Sequence, residues 1–423
     1  MEFSSLLKWR KLATQIFLLV IRAVMALSKL LLAIYTARYL GLADLGVYGL
    51  LISGTTIVPA IAGLGMTEWI VRKIVDLPRG QALPLIAGRL ALTFSIHVVV
   101  QPLLLVIDIL LGEPVPLRLA VIAGIILMLE NLGTESSDTL IARRHVVLSN
   151  AITFFRTGIW PILVIAVGLA YPQARTLDTL LLIWIGTLVV NSLVLISLLV
   201  PKGRWRHMRP DLISFVRQLR HSRALYLKDV SGTVSSFVDR FLISMFLNME
   251  LTGVYTFFWS VTNAMHSLVV VGLMQSQIAP LHAAGRKADK TEFRSLERHF
   301  QIEIGVWSLI LSVGIIIVIP LLLPYLGRTL LQDYLPVLWI ILFATLLRVA
   351  ADGYGLALLS LNRDSAIAVV AIFGALASAA MNLVLTPTAG LWGAATAYAI
   401  TAAGLFCVRF YLTRLQCLQS STR

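Results

Sequence analysis

The sequence predicts an all-α polytopic membrane protein: about twelve transmembrane helices in two parallel six-helix repeats, forming two lobes around a central cavity. Three observations lead there. The 423 residues are 58% hydrophobic and only 13% charged, with a mean hydropathy of +0.87. Soluble globular domains carry about 25% charged residues, so this chain belongs in lipid. Basic residues collect in alternate loops, as the cytoplasmic loops of membrane proteins require. A segment near the start of the chain also returns about half a chain later, the signature of an internal repeat.

The repeat is built on Tyr39–Tyr48, YLGLADLGVY, which returns 207 residues on as FLNMELTGVY, Phe246–Tyr255, with Leu, Gly, Val and Tyr identical. Gly41 offers the left-handed conformation that ends a helix, and Asp44 reads as the N-cap of the next. Asn248 stands where Gly41 stood; Asn is the next most tolerant residue for a left-handed cap. Gly63–Leu64 and Gly272–Leu273 repeat at nearly the same offset.

Twelve spans are placed at about 14–37, 46–67, 90–111, 118–140, 147–170, 177–200, 226–247, 253–275, 301–323, 335–358, 365–385 and 389–412, each near the ~20 residues a bilayer requires. With the N-terminus inside, the inner segments hold 24 of the 35 Lys and Arg and the outer loops three: Arg118, Arg175 and Arg328. That asymmetry places both termini in the cytoplasm. It also explains the net charge of +14 without a nucleic-acid partner. Span 1 is read as retained rather than cleaved, because Arg22 and Lys29 interrupt its apolar core. Six spans per half is an even number, so the halves insert with the same orientation. The domains are 1–200, an N-terminal six-helix lobe, 201–225, a basic cytoplasmic linker, and 226–423, a C-terminal six-helix lobe. The linker is read as an inside-positive connection that can also hold anionic lipid headgroups.

Polar residues punctuate the spans. Arg22 and Lys29 share one face of span 1. Span 3 carries Arg89, His97, Gln101 and Asp108, and the inner half of span 4 reads ENLGTESSD. Glu130, Thr134 and Asp138 there make one stripe at helical spacing. Span 5 holds Arg156. Span 7 shows two stripes, Lys228–Ser231–Ser235–Asp239 and Asp229–Thr233–Ser236–Arg240, so one side must face protein or water. Span 8 holds Asn263 and His266, and span 10 sets Arg348 and Asp352 one turn apart. Small residues in spans 11 and 12 suit close helix packing.

The other eight of the 35 basic residues lie within spans or at their edges: Arg22, Lys29, Arg38, Arg89, Arg156, Arg240, Arg348 and Arg409. Each costs about 2.5–3.5 kcal/mol at a helix centre. Arg38, Arg89 and Arg409 lie near span ends and are expected to snorkel. Arg22, Lys29, Arg156, Arg240 and Arg348 are deeper, and should line a hydrated cavity or pair with Asp108, Glu130, Asp239 or Asp352. A cationic chamber suits an anionic substrate, so these five bases are the candidate binding residues. Glu130, Asp239 and Asp352 are the candidates for coupling to H+ or Na+.

Enzyme signatures are missing: there is no Walker A loop, HExxH, GxSxG or paired-cysteine motif. Cys407 and Cys417 suggest neither a disulfide framework nor a metal site. The expectation is a transporter that is not an enzyme and needs no cofactor.

ARYLGLADLGVYGL (Ala37–Leu50), VDRFLISMFLNMELTGVY (Val238–Tyr255) and MNLVLTPTAGLWGAATAY (Met381–Tyr398) resemble the Wzx-type O-antigen and polysaccharide flippases of the multidrug/oligosaccharidyl-lipid/polysaccharide exporter superfamily. Leu45 departs from the family's frequent aromatic, and Ser244 and Asn248 from its frequent glycines. The resemblance implies movement of an undecaprenyl-pyrophosphate-linked oligosaccharide from the cytoplasmic to the periplasmic leaflet of a bacterial inner membrane, by alternating access, for O-antigen, capsule or exopolysaccharide assembly. It implies membrane lipids, a polysaccharide polymerase and a chain-length regulator as partners. A multidrug cation antiporter of the same superfamily and a lipid II flippase are the alternative readings.

Overall fold

The computed structural model describes residues 2–75, 77–110, 116–199, 212–287 and 291–419. Residues 201–211 of the basic linker, and the side chains of Asp108, Lys228 and Cys417, lie outside the described set. The described residues are helical almost throughout. α1, Glu2–Tyr35, ends in a π-turn over Thr36–Leu40; α2 is Leu42–Ala62, α3 Met66–Ile74, α4 Arg79–Leu110 and α5 Leu117–Ala142. α6, Val146–Phe154, passes through a second π-turn, Phe155–Ile159, into α7, Trp160–Ala170. α8, Leu177–Leu199, and α9, Leu212–Phe246, follow. α10, Met249–Val269, then enters a third π-turn, Val270–Met274, before α11, Gln275–Gly285. α12, Thr291–Leu326, α13, Thr329–Asp333, α14, Leu335–Ser360, and α15, Asp364–Gln419, complete the chain.

Ten of these helices are long and apolar enough to cross a membrane. α15 is one of the ten but comprises two helices that meet at Gly390 (φ 59°, ψ −140°), matching spans 11 and 12. α9 covers span 7 and is not among the ten. The chain is therefore an all-α membrane protein with about the expected number of spans.

The chain divides into two compact units: Met1–Ser28 with Leu51–Val230, and Lys29–Leu50 with Ser231–Arg423. Residues 29–50 thus cluster with the second unit. In the first, Met66, Ile70 and Ile74 of α3 pack with Ala82 and Ile86 of α4 and Ala142 of α5. In the second, Val269, Leu281, Phe293, Phe300, Ile304 and Val349 form a core across α10, α11, α12 and α14. Val313, Ile317 and Leu321 of α12 stay exposed, as expected of a face whose solvent is lipid.

The repeated turn shows why glycine recurs. Gly41 has φ 129° and links the π-turn to α2. α2 already begins at Leu42, so Asp44 sits in its first turn rather than at the cap. Asn248 is not left-handed: it is extended (φ −162°) and caps α10, its side chain accepting from the Leu251 amide at 2.8 Å. Within the second unit the two copies face each other. A Cβ on Gly46 would meet the Met249 carbonyl, one on Gly253 the Leu42 carbonyl, and one on Gly49 the Thr256 side chain. Leu42 and Met249, Gly46 and Gly253, and Gly49 and Thr256 are each separated by the repeat offset. The contact is self-complementary, like a two-fold interface inside one chain.

Candidate functional site

In the first unit the polar residues form buried networks. Arg156 lies in the second π-turn and is 6% exposed. Its guanidinium pairs with the Glu130 carboxylate and donates to the Glu130 carbonyl and the Thr134 hydroxyl, both at 2.9 Å. Gly133 lets it pass, since a Cβ there would meet the Arg156 Cδ. The other Glu130 oxygen accepts from the Trp184 indole at 3.0 Å, and Trp184 stacks on Trp160 at 4.3 Å. Carboxylate, guanidinium and indole satisfy one another, as burial in apolar surroundings demands.

One turn further along α5, Glu135 pairs with Arg89 at 2.5 Å and accepts from Thr93 at 2.8 Å. Arg89 is 3% exposed. It does not snorkel, because Glu135 offers a partner at depth. Next on α4, Gln101 donates to the Gly124 carbonyl (2.7 Å), and the His97 ring lies between two side-chain amides, its Nδ1 2.8 Å from Gln101 and its Nε2 3.1 Å from Asn131. Arg22 is half-buried and donates to the Asn150 side chain at 3.2 Å.

In the second unit Lys29 is half-buried on α1 and Arg38 is exposed. Asp239 accepts from the Tyr255 hydroxyl at 2.6 Å and pairs with Arg240 at 3.4 Å. The Arg240 guanidinium lies 3.8 Å from the centre of the Trp259 ring, with Phe237 alongside, and is 1% exposed. Cation–π contact and ion pairing together hold this charge away from solvent.

A different cluster opens onto space. A cavity of about 260 Å³ is lined by Ser235 and Ser236 of α9, Arg348 and Asp352 of α14, and Tyr398, Thr401 and Arg409 of α15. Arg409 donates to Asp352 at 2.9 Å and to the Ala351 carbonyl at 3.1 Å; His266 meets the other Asp352 oxygen at 3.0 Å. Arg409 does not snorkel either. Gly355 makes room for it, since a Cβ there would crowd the guanidinium. Arg348 makes no ion pair among the described residues; its hydrogen bond is a long one, 3.5 Å, to the Tyr398 hydroxyl.

Of the five candidate bases, then, Arg348 faces the cavity, Arg156 and Arg240 are closed into ion pairs, and Arg22 and Lys29 are half-buried. Glu130, Asp239 and Asp352 each hold an arginine. Sequence reasoning missed Glu135, His266 and Arg409 as members of these clusters. Among the described residues no group of three metal-ligating side chains occurs.

No protein-family model and no curated protein sequence matches the chain. Solved structures do. An inward-facing multidrug resistance MATE family transporter of the MOP superfamily aligns at TM-score 0.72 and 14% identity, over 97% of this chain and 99% of that one. An outward-facing one aligns at TM-score 0.63 and 14% identity, over 97% and 96%. A MOP superfamily transporter from Pyrococcus furiosus, described as having a binding pocket of reversed polarity, aligns at TM-score 0.61 and 14% identity, over 96% of each chain. The chain has the MATE transporter fold.

Proposed function

We propose that this protein is a flippase that carries an undecaprenyl-pyrophosphate-linked oligosaccharide from the cytoplasmic to the periplasmic leaflet of a bacterial inner membrane, by alternating access. The observation that carries the reading is the cavity of the second unit, where Arg348 makes no ion pair among the described residues and Arg409 stands beside it. Counting their near neighbours, three arginines, Arg240, Arg348 and Arg409, stand with two aspartates, Asp239 and Asp352, a surplus of one arginine. An interior of that sign favours an anionic cargo and repels a cationic one. The polyprenyl tail stays in lipid while the polar part enters the protein. Moving a charge of about −2 outward across ~100 mV, inside negative, gains roughly 4–5 kcal/mol. The membrane potential is therefore a sufficient driving force for part of the cycle, and Asp352 is the first candidate if an ion is coupled as well.

A multidrug cation antiporter is the second reading, favoured by the likeness to multidrug resistance transporters. One experiment separates them. In cells lacking the protein, Arg348→Gln should fail to restore surface polysaccharide although it inserts normally, with ethidium sensitivity unchanged. Full restoration by Arg348→Gln would refute the role of the cavity, and ethidium efflux by the unaltered protein would favour the antiporter.

A further inference from the structure

The second unit's cavity carries more information than its charge. We propose that it receives a carboxylate-bearing sugar residue of the cargo rather than a diphosphate; this rests on the flippase reading. Three properties of the lining point there. The surplus of one arginine matches a monoanion. At about 260 Å³ the space lies just below the ~300–1,000 Å³ of drug-sized sites, so it suits one ring and its substituents. The hydrogen-bonding pattern is mixed, and this is the most selective of the three.

Ser236 donates its hydroxyl proton to the Gly232 carbonyl at 3.0 Å, and Thr401 donates to the Ala397 carbonyl at 2.8 Å. With the protons turned into their own helices, both hydroxyls offer lone pairs to the cavity. Asp352 adds carboxylate oxygens. The same lining supplies donors: the Arg348 guanidinium, the Arg409 Nε, which has no partner among the described residues and is shielded from solvent, and the Tyr398 hydroxyl, free to donate because it accepts from Arg348. A diphosphate presents acceptors only and would meet the Ser236, Thr401 and Asp352 oxygens unfavourably. A sugar acid satisfies both sides, its carboxylate on the guanidiniums and its hydroxyls donating to the acceptors.

The test is a binding titration on the full-length protein in detergent, by calorimetry, with sodium glucuronate, glucose and inorganic pyrophosphate as probes. Glucuronate should bind, and glucose about tenfold more weakly, the loss of one charge-assisted contact. Arg348→Gln and Arg409→Gln should each weaken glucuronate about tenfold. Arg348→Gln leaves Asp352 its His266 and Arg409 partners, so it also serves if Arg409→Gln does not fold. Ser236→Ala with Thr401→Val should weaken glucuronate several-fold and leave pyrophosphate unchanged or tighter. Pyrophosphate binding more tightly than glucuronate would overturn the proposal, as would glucuronate affinity unmoved by Arg348→Gln, or no glucuronate binding by the folded protein. None of these outcomes touches the flippase reading, which stands or falls on the leaflet distribution of lipid-linked oligosaccharide.

Discussion

Glu130→Ala offers the sharpest test of how charge is held inside the first unit. In the intact protein the Glu130 carboxylate pairs with Arg156 and accepts from Trp184. The substitution leaves Arg156 its contacts to the residue-130 carbonyl and the Thr134 hydroxyl but no anion. Removing one partner of a buried ion pair costs about 3–5 kcal/mol. The orphaned Trp184 indole would cost about 1–3 kcal/mol on its own, but both losses arise from one carboxylate and do not add in full. A destabilisation near ~4 kcal/mol is expected. The double variant Glu130→Leu/Arg156→Met removes both charges, and should recover most of it. Thermal unfolding of the purified protein, followed by tryptophan fluorescence, reads the difference; the stacked Trp160 and Trp184 lie against the pair. A single variant within ~1 kcal/mol of the unaltered protein, or a double variant as unstable as the single, would refute a structural role for this pair. Arg156 and Glu130 would then return as candidates for substrate and ion binding.

Other sites give expectations of their own. Gly253→Leu drives a side chain into the Leu42 carbonyl and should cost about 1–3 kcal/mol or more, as overpacking does; Gly404→Ala, facing open space, should be neutral or stabilising by up to ~1 kcal/mol. Melting temperatures of the two variants check the contrast. Arg328→Gln loses the donors that reach the Ala37 carbonyl at 2.9 Å and the Arg38 carbonyl at 3.3 Å; a loss of about 1–2 kcal/mol is expected, with faster hydrogen exchange confined to the Thr36–Leu40 turn. Asn248→Ala removes the cap of α10 and should cost about 0.5–2 kcal/mol, whereas Asn248→Asp should retain most of the stability.

Much of this fold is legible in the sequence because lipid imposes a simple rule on it: long apolar runs, with charge between them. Span 7 is the instructive case. Its composition is too polar for a lipid-exposed helix, yet α9 forms there, and its stripes place Ser235 and Ser236 on the cavity. The repeat offset, read from four identities, reappears as the contact of Gly46 with Gly253. Local chemistry misled at Asn248, since Asn serves equally as a left-handed residue and as an N-cap, and only the backbone decides. It misled again at Arg89 and Arg409, whose nearness to span ends suggested snorkelling. The carboxylates that hold them, Glu135 and Asp352, lie 46 and 57 residues away in the chain. No periodicity within one helix reveals which acid on another helix will face a given base. For the same reason the sequence does not show that Asp352 takes Arg409 and His266 and leaves Arg348, one turn away, without an ion pair among the described residues.

Outward movement of a lipid-linked oligosaccharide by this protein would be read from the leaflet distribution of that lipid in cells depleted of the protein. Depletion should make it accumulate on the cytoplasmic leaflet with loss of surface polysaccharide, and the unaltered gene should restore both. A leaflet distribution unchanged by depletion would contradict it.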